Sequence, residues 1–246
     1  MPTLKVLCCI CFLMTCGCGM FSSDRDTVVY VLFDVSGSTD SAAVRQHYSG
    51  DLSIITRFLS QDGGTVRGDV VSSQALNTST VPIDVTFPVY DRVFSTENKH
   101  TKDIQAASGL LQQQTESLLS GSPASSQTAL MAAMEVAAKI LNGGQLRNAK
   151  RKCLVIFSDM VEESPRYNFQ RGVLNDSRTK EIIDSERAGG RLPDLRGVKV
   201  WKTGASAVGL SDDRSRALQR FWVDYFKAAG ADLAPDRYGS TLLNFP

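Results

Sequence analysis

Along the chain, short apolar runs alternate with longer amphipathic stretches. Thr27 to Phe33, TVVYVLF, is apolar nearly throughout and rich in β-branched and aromatic residues, the pattern of a strand buried on both faces. Ser41 to Leu59 places Val44, Tyr48, Ile54, Ile55, Phe58 and Leu59 at helical spacing, with Gly50 as a soft point. TVRGDVVSSQ and STVPIDVTFP, joined by ALNTS, read as two neighbouring antiparallel strands. Asp103 to Leu119 carries Ile104, Ala107, Leu111 and Leu118 along one side of a helix. Thr128 to Leu141 is a second helix, rich in alanine and stopped by Asn142-Gly143-Gly144. KCLVIFS, Lys152 to Ser158, is another apolar strand. A polar region from Glu162 to Arg196 holds one modest helix around Thr179 to Arg187, and VKVWKTGASAV reads as a further strand. Ser211 to Ala229 closes the series as an amphipathic helix, with Leu218, Phe221, Trp222, Tyr225 and Phe226 on its apolar face.

Apolar strands that alternate with helices predict one α/β domain: a mostly parallel sheet, with one antiparallel edge strand, covered by helices on both faces. The sequence contains no repeat. Its 27 basic and 26 acidic residues leave a formal net charge of +1, which argues against nucleic acid and against a polybasic membrane surface.

The first residues break the pattern. MPTLKVLCCICFLMTCGCGMF has one early charge, Lys5, then an apolar segment from Val6 to Met14, then Thr15, Cys16, Gly17 and Cys18. A basic start, roughly 7–15 apolar residues and small residues form a secretory signal peptide, here spanning residues 1–18. The apolar segment is shorter than the about 20 residues of a membrane-spanning helix. Of the six cysteines, only Cys153 lies beyond this segment, so no disulfide framework is expected inside the body of the chain. The segment resembles a bacterial lipoprotein signal, which implies lipidation of Cys16, with Cys18 as the alternative, and a place in the cell envelope. Membrane contact is then expected through that anchor alone.

The candidate chemistry sits behind the first strand. In VVYVLFDVSGSTDSA the apolar run ends in Asp34, and Ser36, Ser38 and Thr39 follow. Hydroxyls and carboxylates are hard oxygen donors of the kind that bind Mg²⁺. In open α/β sheets, sites form at the carboxyl ends of strands. Asp34 lies at one such end and Asp159 at another, directly after KCLVIFS, while Thr128 is expected at the head of the mid-chain helix.

DVSGS, then that threonine, then VIFSD resemble the von Willebrand factor A (vWA) domain and its metal-ion-dependent adhesion site, over roughly residues 26–240. The resemblance implies a three-layer α/β/α, Rossmann-like fold. It assigns Asp34, Ser36 and Ser38 to the Asp-x-Ser-x-Ser element, Thr128 to the isolated threonine and Asp159 to the later aspartate. The implied ion is Mg²⁺ or Mn²⁺. Neutral hydroxyl ligands leave such an ion electrophilic toward a carboxylate presented by a protein partner. With two aspartates and no nearby His or Cys, zinc is a poor candidate.

Three functions compete for this pattern. The first is a metal-dependent, adhesion-type binding domain, exported and lipid-anchored, with the segment from Glu162 to Arg196 contributing partner specificity. The second is an accessory or scaffolding subunit of an envelope or secretion complex, with the metal as a structural clip. The third is a phosphate-ester hydrolase. An enzyme of the haloacid-dehalogenase type begins Asp-x-Asp, and Ser36 in the second position cannot serve as its proton donor at neutral pH. No triad or cofactor motif is visible, so an enzyme is not expected. Glu162 and Glu163 suit either the rim of the metal face or a surface. The RGD tripeptide at Arg67 to Asp69 falls inside an expected strand and reads as structural.

Overall fold

A computed structural model describes residues 27–36, 42–71, 81–93, 95–122, 127–204 and 209–246. Five strands form one sheet: β1 (Thr27–Asp34), β2 (Gly64–Val71), β3 (Ile83–Phe87), β4 (Arg151–Phe157) and β5 (Val198–Thr203). Their order is β3-β2-β1-β4-β5, with β3 antiparallel at one edge and every other pairing parallel. The helices are α1 (Ala42–Asp62), α2 (Glu97–Gly121), α3 (Leu130–Leu141), α4 (Asp176–Ala188) and α5 (Asp212–Ala228). Among the described residues no helix is long and apolar enough to cross a membrane.

Side chains of a strand alternate between its faces, and both faces here are covered. Val28, Tyr30 and Leu32 of β1 join Leu154 and Ile156 of β4 under α3, α4 and α5. Val29, Val31 and Phe33 join Cys153, Val155 and Phe157 under α1 and α2. All eight residues of β1 are buried, which is why its run carries no polar alternation. The result is a three-layer α/β/α, Rossmann-like arrangement, and the strand and helix pattern predicts its mostly parallel sheet covered on both faces.

Element boundaries depart from expectation where caps act. Helix α2 begins at Glu97 rather than Asp103, because the Thr96 hydroxyl accepts from Lys99 N and caps it. Helix α4 begins at Asp176, capped by the Asn175 side chain. Helix α1 runs through Gly50 without a break. The cost of that glycine, about 1 kcal/mol, is offset by Leu52, Ile55 and Leu59, all buried. Thr128 does not head a helix: α3 starts two residues later, and Thr128 lies in an isolated antiparallel bridge with Glu163.

The RGD tripeptide is part of β2. Arg67 pairs with Asp84 across the β2–β3 ladder at 2.8 Å. A β-carbon on Gly68 would sit 2.2 Å from Val31 Cγ2, so the close approach of β2 to β1 requires glycine there.

The outer edge of β5 is not open. Asp232 N donates to Val198 O and Val200 N to Asp232 O, while Gly239 N donates to Lys202 O and Gly204 N to Ser240 O. The segment after α5 therefore lies along β5 and satisfies the backbone groups of an edge strand.

Candidate functional site

Parallel register sets the first half of the site. β1 and β4 pair through Phe33 opposite Phe157, so Asp34, the last residue of β1, and Ser158, the first after β4, lie side by side. Beneath them the rings of Phe33 and Phe157 stack at 4.5 Å, and the Tyr48 hydroxyl of α1 donates to Phe157 O. This apolar floor holds Asp34 at 1% exposure.

A buried carboxylate is costly unless hydrogen-bonded. Asp34 Oδ1 accepts from Ser36 N at 2.9 Å and Oδ2 from Ser158 Oγ at 2.7 Å. Burial raises the pKa of Asp34, the Ser158 and Ser36 bonds oppose the rise, and the nearby negative charge of Asp159 adds to it. The two aspartates are thus close enough to repel. Ser158 was not singled out from the sequence, yet it also accepts from Met160 N at 2.9 Å. The available signal was its hydroxyl directly before Asp159 at a strand end.

The chain turns sharply after Asp159. Met160 has φ of 67°, an uncommon conformation for a residue with a side chain. The turn is held from both sides: Val161 N donates to Asp159 Oδ1 at 3.0 Å, and Trp222 Nε1 donates to Met160 O at 2.8 Å. Asp159 itself is 6% exposed.

Thr128 reaches this region through its backbone. Thr128 N donates to Glu163 O at 3.0 Å and Glu163 N to Thr128 O at 2.8 Å. Thr128 is thereby tied to the chain four residues beyond Asp159, at the entry to α3. That helix has no capping side chain of its own at Ala129. Glu162 fills the role from a distance, its Oε2 accepting from Met131 N at 3.0 Å. Burial pushes the Glu162 pKa up to about 7 against the pull of Ser164, Met131, Arg166 and Leu130. Glu162 is therefore neither rim nor surface, but a buried cap.

Lys202, near the end of β5, completes the surroundings and was also missed. It is 4% exposed, and its ammonium donates to Gly204 O at 3.0 Å. Its ammonium lies 5.3 Å from the centroid of the Tyr238 ring. Burial lowers its pKa to about 8, and the attraction of Asp159 opposes that shift. Gly204, with φ of +109°, lets the chain pass Ser158 and Tyr48 where a β-carbon would come within 3.2 Å of Ser158 N.

The structure therefore brings Asp34, Ser36 and Asp159 to one sheet edge, with Thr128 bridged to the same loop. Ser38, the signal segment, Cys16 and Cys18 lie outside the described residues. The donors at this edge are carboxylate and hydroxyl oxygens, and two buried carboxylates that repel each other gain from a shared cation. That donor set fits Mg²⁺ or Mn²⁺. His47, on α1, is engaged with Ser240 O and with Asp51.

No protein-family model and no curated sequence matches the chain. Solved structures do show similarity. One is the pilus adhesin SpaC from Lactobacillus rhamnosus GG in its open conformation, 13% identical, with a TM-score of 0.41, covering 87% of this chain and 27% of that one. Another is the manganese-loaded TRAP protein of Plasmodium vivax, 14% identical, with a TM-score of 0.43, covering 89% of this chain and 70% of that one. The chain thus spans only about a quarter of SpaC.

Proposed function

We propose that this chain is a metal-dependent, adhesion-type vWA domain that binds a protein partner through a carboxylate. The observation that supports it most is the placement of two buried aspartates, Asp34 and Asp159, at adjacent strand ends with the hydroxyl of Ser158 between them in sequence and bonded to Asp34. Asp34, Ser36, Ser38, Thr128 and Asp159 would hold the ion, directly or through water. When bound, Mg²⁺ or Mn²⁺ supplies an electrophilic position for an incoming carboxylate. Ser158 and Ser36 N hold the Asp34 carboxylate in one orientation, and the Asp159 turn is fixed by Trp222. We do not assign an enzymatic activity.

The same reading places the protein in the cell envelope, exported through residues 1–18 and anchored by lipid on Cys16, or alternatively Cys18. Stable anchoring of this kind needs at least two acyl chains. A specific observation favours a second reading, a scaffolding subunit whose metal is a structural clip: both aspartates are almost fully buried. Partner capture separates the two. The full chain, immobilised, is expected to retain an envelope partner in Mn²⁺ and release it in EDTA, and the Asp159→Ala variant is expected to retain none. Equal retention with and without metal, in a protein that binds metal, would favour the scaffold.

A further inference from the structure

Three features meet at the amino edge of the sheet, the edge opposite Asp34 and Asp159. Thr27, where β1 begins, pairs with Arg151 at the start of β4. A β-carbon on Gly64 would sit 2.6 Å from Thr27 O, and one on Gly63 would sit 2.5 Å from Val89 Cγ2, so the loop after β3 lies against the same edge. That loop exposes apolar surface: Val89 at 63%, Tyr90 at 40% and Val93 at 82%. Internal bonds hold it in that shape. Asp91 Oδ1 accepts from Val93 N at 2.8 Å and Asp91 O from Ser95 N at 2.9 Å, while the Tyr90 ring rests against His100 at 5.0 Å between centroids. On the other side of Thr27, Arg147, Lys150 and Arg151 are exposed in the turn into β4. Arg151 also pairs with Asp62 at 3.1 Å. The near-neutral balance of the whole chain thus conceals a local meeting of apolar and basic surface.

We propose that this edge is a second contact with the membrane, resting on a bilayer that carries anionic headgroups. The inference rests on the lipid-anchor reading above. Only residues 19–26 separate Cys18 from Thr27, a reach of about 30 Å at full extension. An anchor there keeps the amino edge close to the lipid. Tethering raises the effective concentration of a weak contact, so a small patch suffices. Tyr90 suits the headgroup level, where aromatic rings with a polar tip collect. Val89 and Val93 gain by leaving water, and the basic turn is drawn to anionic lipid. β1 then spans its eight residues to Asp34, about 3.3 Å at each step. The candidate metal site is thereby held on the side away from the bilayer, where a protein partner can reach it.

The test uses the mature chain, purified in detergent from a bacterial host, with its N-terminus weighed by mass spectrometry. Val93→Trp probes the proposed contact. Val173→Trp is the control, in the segment that leads from β4 to α4 at the opposite edge, where Val173 is 76% exposed. Trp201 and Trp222 are buried and give both variants the same background. In vesicles of phosphatidylethanolamine and phosphatidylglycerol that contain brominated lipid, the tryptophan at 93 is expected to lose most of its emission and the one at 173 to keep it. Adding Arg147→Glu and Lys150→Glu to Val93→Trp, with folding checked by circular dichroism, is expected to restore emission. An unquenched Val93→Trp on a lipid-bearing chain overturns the contact and leaves the anchor standing. Quenching on a chain without lipid overturns the anchor and leaves the contact standing; neither lipid nor quenching overturns both. Emission of Val93→Trp already shifted to the blue before vesicles are added overturns the contact as well, because residues 19–26 or a second copy then cover the patch.

Discussion

Ser158 donates its hydroxyl to Asp34 Oδ2 at 2.7 Å, across 124 positions of sequence, and accepts from Met160 N at 2.9 Å. One buried hydroxyl thus joins the end of β1 to the turn after β4. It holds a carboxylate in place and supports the positive-φ residue that aims Asp159.

Ser158→Ala removes both bonds and leaves the Asp34 carboxylate with one donor fewer in a dry place. The expected cost is about 1–3 kcal/mol, read as a lower midpoint in urea with an unchanged slope. Metal affinity should fall as well, because the Asp159 turn loses its support. An Ala variant as stable as wild type would show that the hydroxyl is replaceable.

Glu162 makes stability depend on pH in an unusual direction. Its folded pKa of about 7 lies above the ordinary 4.5. Between these values the folded state holds a proton that the unfolded state has released. Its stabilising contribution is complete below about pH 4.5 and is lost as pH rises to about 7. Glu162→Gln keeps an acceptor for Met131 N and has nothing to titrate. Unfolding curves should therefore show wild type losing up to about 3 kcal/mol relative to the variant over that range. Parallel curves would place the Glu162 carboxyl in contact with water.

Cys153 reports on the sheet. It is fully buried in β4, and burial pushes its thiol pKa up to about 12. The thiolate is the reactive form, so alkylation should be slow in the folded protein and complete in denaturant. Rapid labelling of the native chain would mean that β4 is exposed, and the register that sets Asp34 beside Ser158 would lose its basis.

Much of this could be read from the residues, and the failures have physical causes. β1 and β4 announce themselves because strands covered on both faces need continuous apolar runs, and Asp34 and Asp159 stand out as the first charges after them. Ser158 and Lys202 were silent because their partners are set by register and by the covering segment. A lysine on a strand reads as solvated until Tyr238 is seen lying over it. TALMAAMEVAAKIL, unbroken and alanine-rich, reads as a helix from Thr128 onward. Here Glu162, from another part of the chain, supplies the cap, and Thr128 is held by the bridge to Glu163.

The central claim is that Asp34 and Asp159 hold one divalent ion. Its most direct test is an electron paramagnetic resonance titration of Mn²⁺ against wild type, Asp34→Ala and Asp159→Ala, all shown to be folded by circular dichroism. The account predicts that wild type removes one equivalent of Mn²⁺ from the free signal, that excess Mg²⁺ returns it, and that each variant binds at least ~10-fold more weakly after losing a charged ligand. Undiminished Mn²⁺ binding in both folded variants would contradict it.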